Sequence, residues 1–160
     1  MTDIHYLHGD ATSPQTEGIK IIAHVSNDEG GWGKGFVVAL SRRWKQPERE
    51  FRRWAKARQS NDFGLGATQF VQCEPELWVA NMVGQHGIRR KGDKGPQPVR
   101  YDAIEKCLGA VANKAIELGA SVHMPRIGCG LAGGKWDAIE PLITAQLCER
   151  DVEVWVYDFD

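Results

Sequence analysis

With 160 residues, 42% of them hydrophobic, the chain is long enough for one domain with a real core, and it is read as a single domain over residues 1–160. A net charge of −1 argues against general attraction to nucleic acid or a membrane surface, and no apolar run reaches the roughly 18 residues of a membrane-spanning helix. Residues 1–5 carry neither a basic region nor an apolar stretch, so no signal peptide is read there, and Cys73, Cys107, Cys129 and Cys148 form no CxxC pair, which points to reduced thiols in a cytoplasmic protein without a metal site.

Residues 3–8 alternate weakly and read as a strand near a sheet edge, after which Gly9-Asp10-Ala11-Thr12-Ser13-Pro14 turns the chain. Residues 19–25 are nearly all apolar, as in a central strand covered on both faces; His24 within it reads as a packed, hydrogen-bonded core histidine. Asn27 stands at the strand end. Gly30, Gly31, Gly33 and Gly35 then crowd into six residues before an amphipathic stretch, 36–44, that reads as a helix. Strand, glycine-rich turn and helix suit a phosphate, because glycines admit close backbone approach and the helix start offers free N–H groups. Gly33-Lys34-Gly35 is neither a Walker A nor a Rossmann fingerprint.

Pro47 opens a second helix that carries Phe51 and Trp54 inward. Eight Lys/Arg against Glu48 and Glu50 give residues 41–59 a local charge of 8 − 2 = +6, read as solvated helix faces, with a nucleic-acid contact as the alternative. Residues 67–73 and 77–83 read as two strands joined by Glu74-Pro75-Glu76, and residues 84–98 as the longest loop. Residues 101–118 form a helix with Ile104, Leu108, Val111, Ala115 and Leu118 on its core face and Gly119 as its C-terminal cap. A strand at 121–125 leads into a second glycine loop, Gly128-Cys129-Gly130-Leu131-Ala132-Gly133-Gly134. A last helix follows, with Trp136, Ile139, Leu142, Ile143 and Leu147 inward, and then a strand at 152–157. Strands alternating with helices imply a three-layer α/β/α sandwich, and the hairpin-like pair implies a mixed sheet of about six strands. Both glycine loops then leave strand C-terminal ends, where open α/β sheets bind ligands.

The two loops, Ala23-His24 before the first, Met124-Pro125-Arg126-Ile127-Gly128-Cys129-Gly130-Leu131 at the second and Gly9-Asp10-Ala11-Thr12 near the N-terminus resemble the macrodomain family, most closely the branch containing the terminal ADP-ribose protein glycohydrolase. The resemblance covers nearly the whole chain. It implies ADP-ribose binding: Asp10 and Ala11 at adenine, Tyr157 or Phe159 stacked on it, Gly31, Trp32, Gly33, Lys34 and Gly35 with Gly128, Cys129, Gly130 and Leu131 around the pyrophosphate and distal ribose, and Asn27 at that ribose. Arg126 reads instead as a structural ion-pair partner. The glycohydrolase's lysine should fall in the stretch Val83-Gly84-Gln85-His86 and its aspartate at Ala132, and neither is there. Lys34, Lys91 and Lys94 are the remaining amines, and His86 and Asp28 the remaining acid–base candidates. Three functions stay open: a hydrolase of ADP-ribose derivatives (an adduct on protein or nucleic acid, or ADP-ribose 1″-phosphate), a non-catalytic ADP-ribose reader, and a nucleic-acid-binding module that uses the basic helices. The implied partner is ADP-ribose or an ADP-ribosylated macromolecule, with no membrane and no cofactor.

Overall fold

The computed structural model of the chain describes residues 1–88, 92 and 95–159. Strands β1 (His5–His8), β2 (Lys20–Asn27), β3 (Thr68–Glu74), β4 (Leu77–Gln85), β5 (Ser121–Met124) and β6 (Val154–Asp158) form one sheet in the order β1-β6-β5-β2-β4-β3. All neighbours are parallel except β3 and β4, which Pro75 and Glu76 join; so short a link permits only an antiparallel pair. Helices α1 (Phe36–Arg43) and α2 (Gln46–Lys56) cover one face of the sheet, and α3 (Tyr101–Leu118) and α4 (Trp136–Gln146) the other. The architecture is the expected three-layer sandwich with a mixed six-stranded sheet.

Alternation in β2 sets the two cores. Ile21 and Ala23 face the α3/α4 side with Ile104, Leu108 and Ile139, while Ile22 faces the α1/α2 side with Leu40 and Phe51. Trp54 is only half-buried, at the rim of that second core against Phe51 and Phe63. Gly119 ends α3 with φ of 67°, a left-handed cap that glycine adopts without strain.

Several strand ends lie elsewhere than the sequence pattern predicts. β1 starts at His5, and β2 runs on to Asn27. β4 continues through Gly84 to Gln85, because Gly84 marks close sheet–helix packing rather than the start of a loop: a Cβ there would stand 2.8 Å from Ile104 Cγ1 and 3.2 Å from Val25 Cγ1. The 84–98 loop is accordingly tied at its base, with the His86 N–H donating to the Pro98 carbonyl at 2.7 Å and Gln85 bridging Val99. No described helix is long and apolar enough to cross a membrane.

Candidate ligand-binding crevice

Because β1, β6, β5, β2 and β4 run parallel, the segments that follow them emerge along one edge of the sheet. Three cavities join there. An outer one of about 860 Å³ lies among Gly9, Asp10, Arg42, Arg43, Tyr157 and Phe159. It shares Gly35 and Phe36 with a middle one of about 370 Å³ that reaches His24, Arg126 and Gly128. The middle cavity shares Val25, Lys34, Val37 and Gln85 with an inner one of about 440 Å³ among Ser26, Asn27, Trp32 and Arg52. At the junction of the outer and middle cavities stands the start of α1. Gly35 is its N-cap, no side chain caps it and no acidic residue lies in its first turn, so its leading N–H groups and partial positive charge favour an anion there.

The first glycine loop is folded by Asn27. Its Oδ1 accepts the N–H groups of Glu29 (3.0 Å) and Gly31 (2.9 Å), and its Nδ2 donates to the Gly31 carbonyl at 3.0 Å. The amide expected to face a ribose is thus engaged first in shaping the loop. Gly30 (φ 86°) and Gly35 (φ 78°) need the left-handed region, and a Cβ on Gly31 would stand 2.6 Å from Ile88 Cδ1. Gly33 has neither constraint: its Cβ would meet no protein atom within 4 Å, and it borders the inner cavity. Trp32, placed by the resemblance around the pyrophosphate and distal ribose, is 7% exposed. Its indole N–H donates to Ser41 Oγ at 2.8 Å, and its ring packs on His24 and Phe51, so it belongs to the α1/α2 core and only borders the inner cavity.

The second loop brings Gly128, Cys129 and Gly130 to the middle cavity, and Gly130–Ala132 form a single 3-10 turn that includes Leu131. Gly128 (φ 72°) leaves no room for a Cβ, which would lie 2.8 Å from Ile139 Cδ1. Burial pushes the Cys129 thiol up, against the pull of Arg126. Arg126 is the structural ion pair expected: Nε and one terminal nitrogen hold the Asp158 carboxylate at 2.6 and 3.0 Å, and the guanidinium lies over the Trp136 and Tyr6 rings.

In the outer cavity Asp10 Oδ1 accepts the Thr12 N–H (2.8 Å) and hydroxyl (2.7 Å), and Oδ2 takes a longer bond of 3.4 Å from Arg43. Burial would raise this carboxyl, and these bonds outweigh it and hold it below the usual carboxylate range. Oδ2 retains acceptor capacity toward the cavity beside Ala11. Of the two aromatic candidates, Tyr157 is committed inward, 5% exposed with its hydroxyl 2.7 Å from His123 Nδ1, whereas Phe159 is 80% exposed and offers a free ring.

The acid–base candidates His86 and Asp28 form a pair at 2.6 Å, with the Gly87 N–H donating to the second Asp28 oxygen. Burial would raise the Asp28 carboxyl, but the Gly87 and His86 bonds hold it low. Neither residue is among those lining the three joined cavities. Lys34 borders the middle and inner cavities; Lys91 and Lys94, with Arg89 and Arg90, lie outside the described residues. The basic excess of residues 41–59 is largely consumed within the protein. Arg43, Arg49, Arg52 and Arg53 pair with carboxylates, and Arg58 donates to the carbonyls of Asp28, Glu29 and Ala55. Sequence reasoning missed Gln85, Arg42 and Arg52 as lining residues. Gln85 fell in the stretch read as a loop because Gly84 was taken to end the strand, and the two arginines lie on helix faces that periodicity marks only as solvated.

No protein-family model matches the chain. It is 58% identical to a macrodomain protein from Streptomyces coelicolor, with a TM-score of 0.86 and coverage of 98% of this chain and 99% of that one. It is 30% identical to the Chromodomain-helicase-DNA-binding protein 1-like of Mus musculus over 99% of its own length, but spans only 18% of the mouse protein. It is 22% identical to the ADP-ribose 1″-phosphate phosphatase of Meyerozyma guilliermondii, covering 89% of this chain and 93% of that enzyme.

Proposed function

The chain belongs to the macrodomain family, and from that premise we propose that residues 1–160 act as one macrodomain that binds ADP-ribose and hydrolyses its derivatives. The observation that carries the reading is the row of three joined cavities with the uncapped start of α1 at their junction, a shape for base, diphosphate and distal sugar in sequence. Adenine sits against Asp10, Ala11 and Phe159, the diphosphate lies across Gly33, Lys34, Gly35 and the 128–131 turn, and the distal ribose occupies the inner end beside Asn27 and Gly31. A cytoplasmic location belongs to the same reading and is supported by four unpaired cysteines.

Gln85 at the β4 end and Ala132 in the second loop supply neither an amine nor a carboxylate to the crevice, so water is the nucleophile in this proposal. It attacks the distal ribose C1″, or the phosphorus of a 1″-phosphate, the bond to the leaving group breaks, and the leaving oxygen or nitrogen takes up a proton. Calorimetry with ADP-ribose, then turnover assays on ADP-ribosylated protein, ADP-ribosylated DNA and ADP-ribose 1″-phosphate, test the reading. Tight binding without turnover on any of the three leaves a reader, and no heat at millimolar ADP-ribose ends the proposal. Nucleic acid enters as a carrier of the adduct. Arg42, Lys45 and Lys56 are the cations of the basic stretch that meet no carboxylate among the described residues, and their removal tests whether it is gripped.

A further inference from the structure

β2 buries two polar side-chain atoms that find no partner among the described residues, His24 Nδ1 and Ser26 Oγ. The two residues are 2% and 5% exposed. The remaining bonds of His24 determine its tautomer. Gln69 Nε2 donates to the Glu50 carbonyl at 2.9 Å, so Gln69 Oε1 is an acceptor and takes the Asn81 Nδ2–H at 3.0 Å; the same nitrogen also donates to the Pro47 carbonyl at 3.3 Å. Backbone carbonyls only accept, so both amides are oriented, and Asn81 turns Oδ1 toward His24 Nε2 at 2.5 Å. The imidazole proton therefore sits on Nε2, and Nδ1 keeps a lone pair. Burial pulls the His24 pKa down to about 4, with the Asn81 bond opposing it, so the ring is neutral at physiological pH.

His24 borders the middle cavity and Ser26 the inner one, on the same face of β2. The Cα atoms of residues two apart on a strand stand about 6.6 Å apart with both side chains on one face, close enough for a single oxygen to bridge them by hydrogen bonds of about 3 Å. We propose that His24 Nδ1 and the Ser26 hydroxyl form a site for a single hydroxyl oxygen in the floor of the crevice, which donates its proton to Nδ1 and accepts that of Ser26. The chemistry excludes other occupants. An ionised phosphate oxygen has no proton for Nδ1, and an ammonium cannot accept from Ser26. A water and a sugar hydroxyl both qualify, and only the second rests on the ADP-ribose reading.

Imidazole nitrogen-15 NMR on wild type, His24→Gln and Ser26→Ala, each alone, with ADP and with ADP-ribose, decides the matter. The expected spectrum shows an Nε2–H tautomer whose Nδ1 resonates as a hydrogen-bonded acceptor and loses that shift in Ser26→Ala. If the oxygen is water, this signature is present in the free protein. If it is a sugar hydroxyl, it arises with ADP-ribose and not with ADP. His24→Gln keeps an amide N–H for Asn81 and moves the acceptor away from the Nδ1 position. In the sugar case it and Ser26→Ala each weaken ADP-ribose binding by about 3- to 10-fold, and the double variant is no worse than the poorer single, since both hold one atom. An Nδ1–H tautomer, a bare Nδ1 in every state, or an Nδ1 signal indifferent to Ser26→Ala overturns the proposal. Wild type that binds no ADP-ribose but keeps the signature when free overturns the functional reading and leaves this site standing.

Discussion

At the level of single residues the crevice separates groups that face a ligand from groups that hold those groups in place. Asp10 does both: Oδ1 is spent on Thr12 and Oδ2 is the atom left for an amino donor. Asp10→Ala removes that acceptor, while Arg43 keeps its Nε bond to Thr12 Oγ1 at 2.8 Å, so ADP-ribose affinity is expected to fall by about 1–3 kcal/mol. An unchanged calorimetric constant would remove Asp10 from the adenine end. Lysine chemistry is tested at the same scale. Lys34 is the described lysine on the middle and inner cavities, and it is exposed rather than enclosed in the desolvated pocket that activates an amine nucleophile. Borohydride added during turnover is expected to trap no protein–sugar adduct, and a trapped adduct mapped to Lys34 by mass spectrometry would replace the water route with a covalent one.

At the level of elements, β2, its loop and α1 form one device, and Gly33 is where ligand and fold requirements separate. Gly31 and Gly35 serve the fold, one by the space that Ile88 takes, the other by its positive φ; Gly33 answers to neither. Gly33→Val is therefore expected to unfold at the same temperature as wild type and to lose ADP-ribose binding, whereas in Gly31→Val the end of the Ile88 side chain must also shift to make room. Full affinity in Gly33→Val would place the ligand elsewhere. The sequence made this device legible because glycine spacing and the apolar run of β2 are local signals. It also gave α3 to the residue and α1 to within one, since Ile104, Leu108 and Val111 state the period of α3 directly. It did not show that Trp32 is core or that Asn27 folds its own loop. Those facts depend on Ser41, Phe51 and the Gly31 backbone being brought into contact, which no local pattern encodes. For the same reason His86 and Asp28 read as candidate catalysts, although their pairing sets them beside the crevice rather than on its wall.

At the level of the whole molecule, two histidines are built into the middle layer, His24 on β2 and His123 on β5, where His123 is 0% exposed. Burial brings each to a pKa of about 4; the Asn81 bond opposes this at His24, and the charge of Lys20 adds to it at His123. Unfolded, both return to an ordinary value of about 6.5. Between about pH 6.5 and 4 the unfolded chain therefore binds protons that the folded protein refuses, and stability rises with pH across that window. The stabilisation is complete above pH 6.5 and is lost as pH falls toward 4, on the order of 3 kcal/mol for each ring. Asp10, Asp28 and Asp158 act in a lower window, because their folded pKa values are depressed from about 3.8 and their contribution fades only as pH falls further. Urea denaturation at pH 7.5, 6.5, 5.5 and 4.5 is expected to show a midpoint that is flat between the first two and falls steeply thereafter. His24→Gln, which keeps the Asn81 bond without a titrating ring, is expected to lose about half of that slope. A midpoint constant down to pH 4.5, or a slope unaltered in His24→Gln, would mean that the buried imidazoles accept protons without opening the sheet from the helices that cover it.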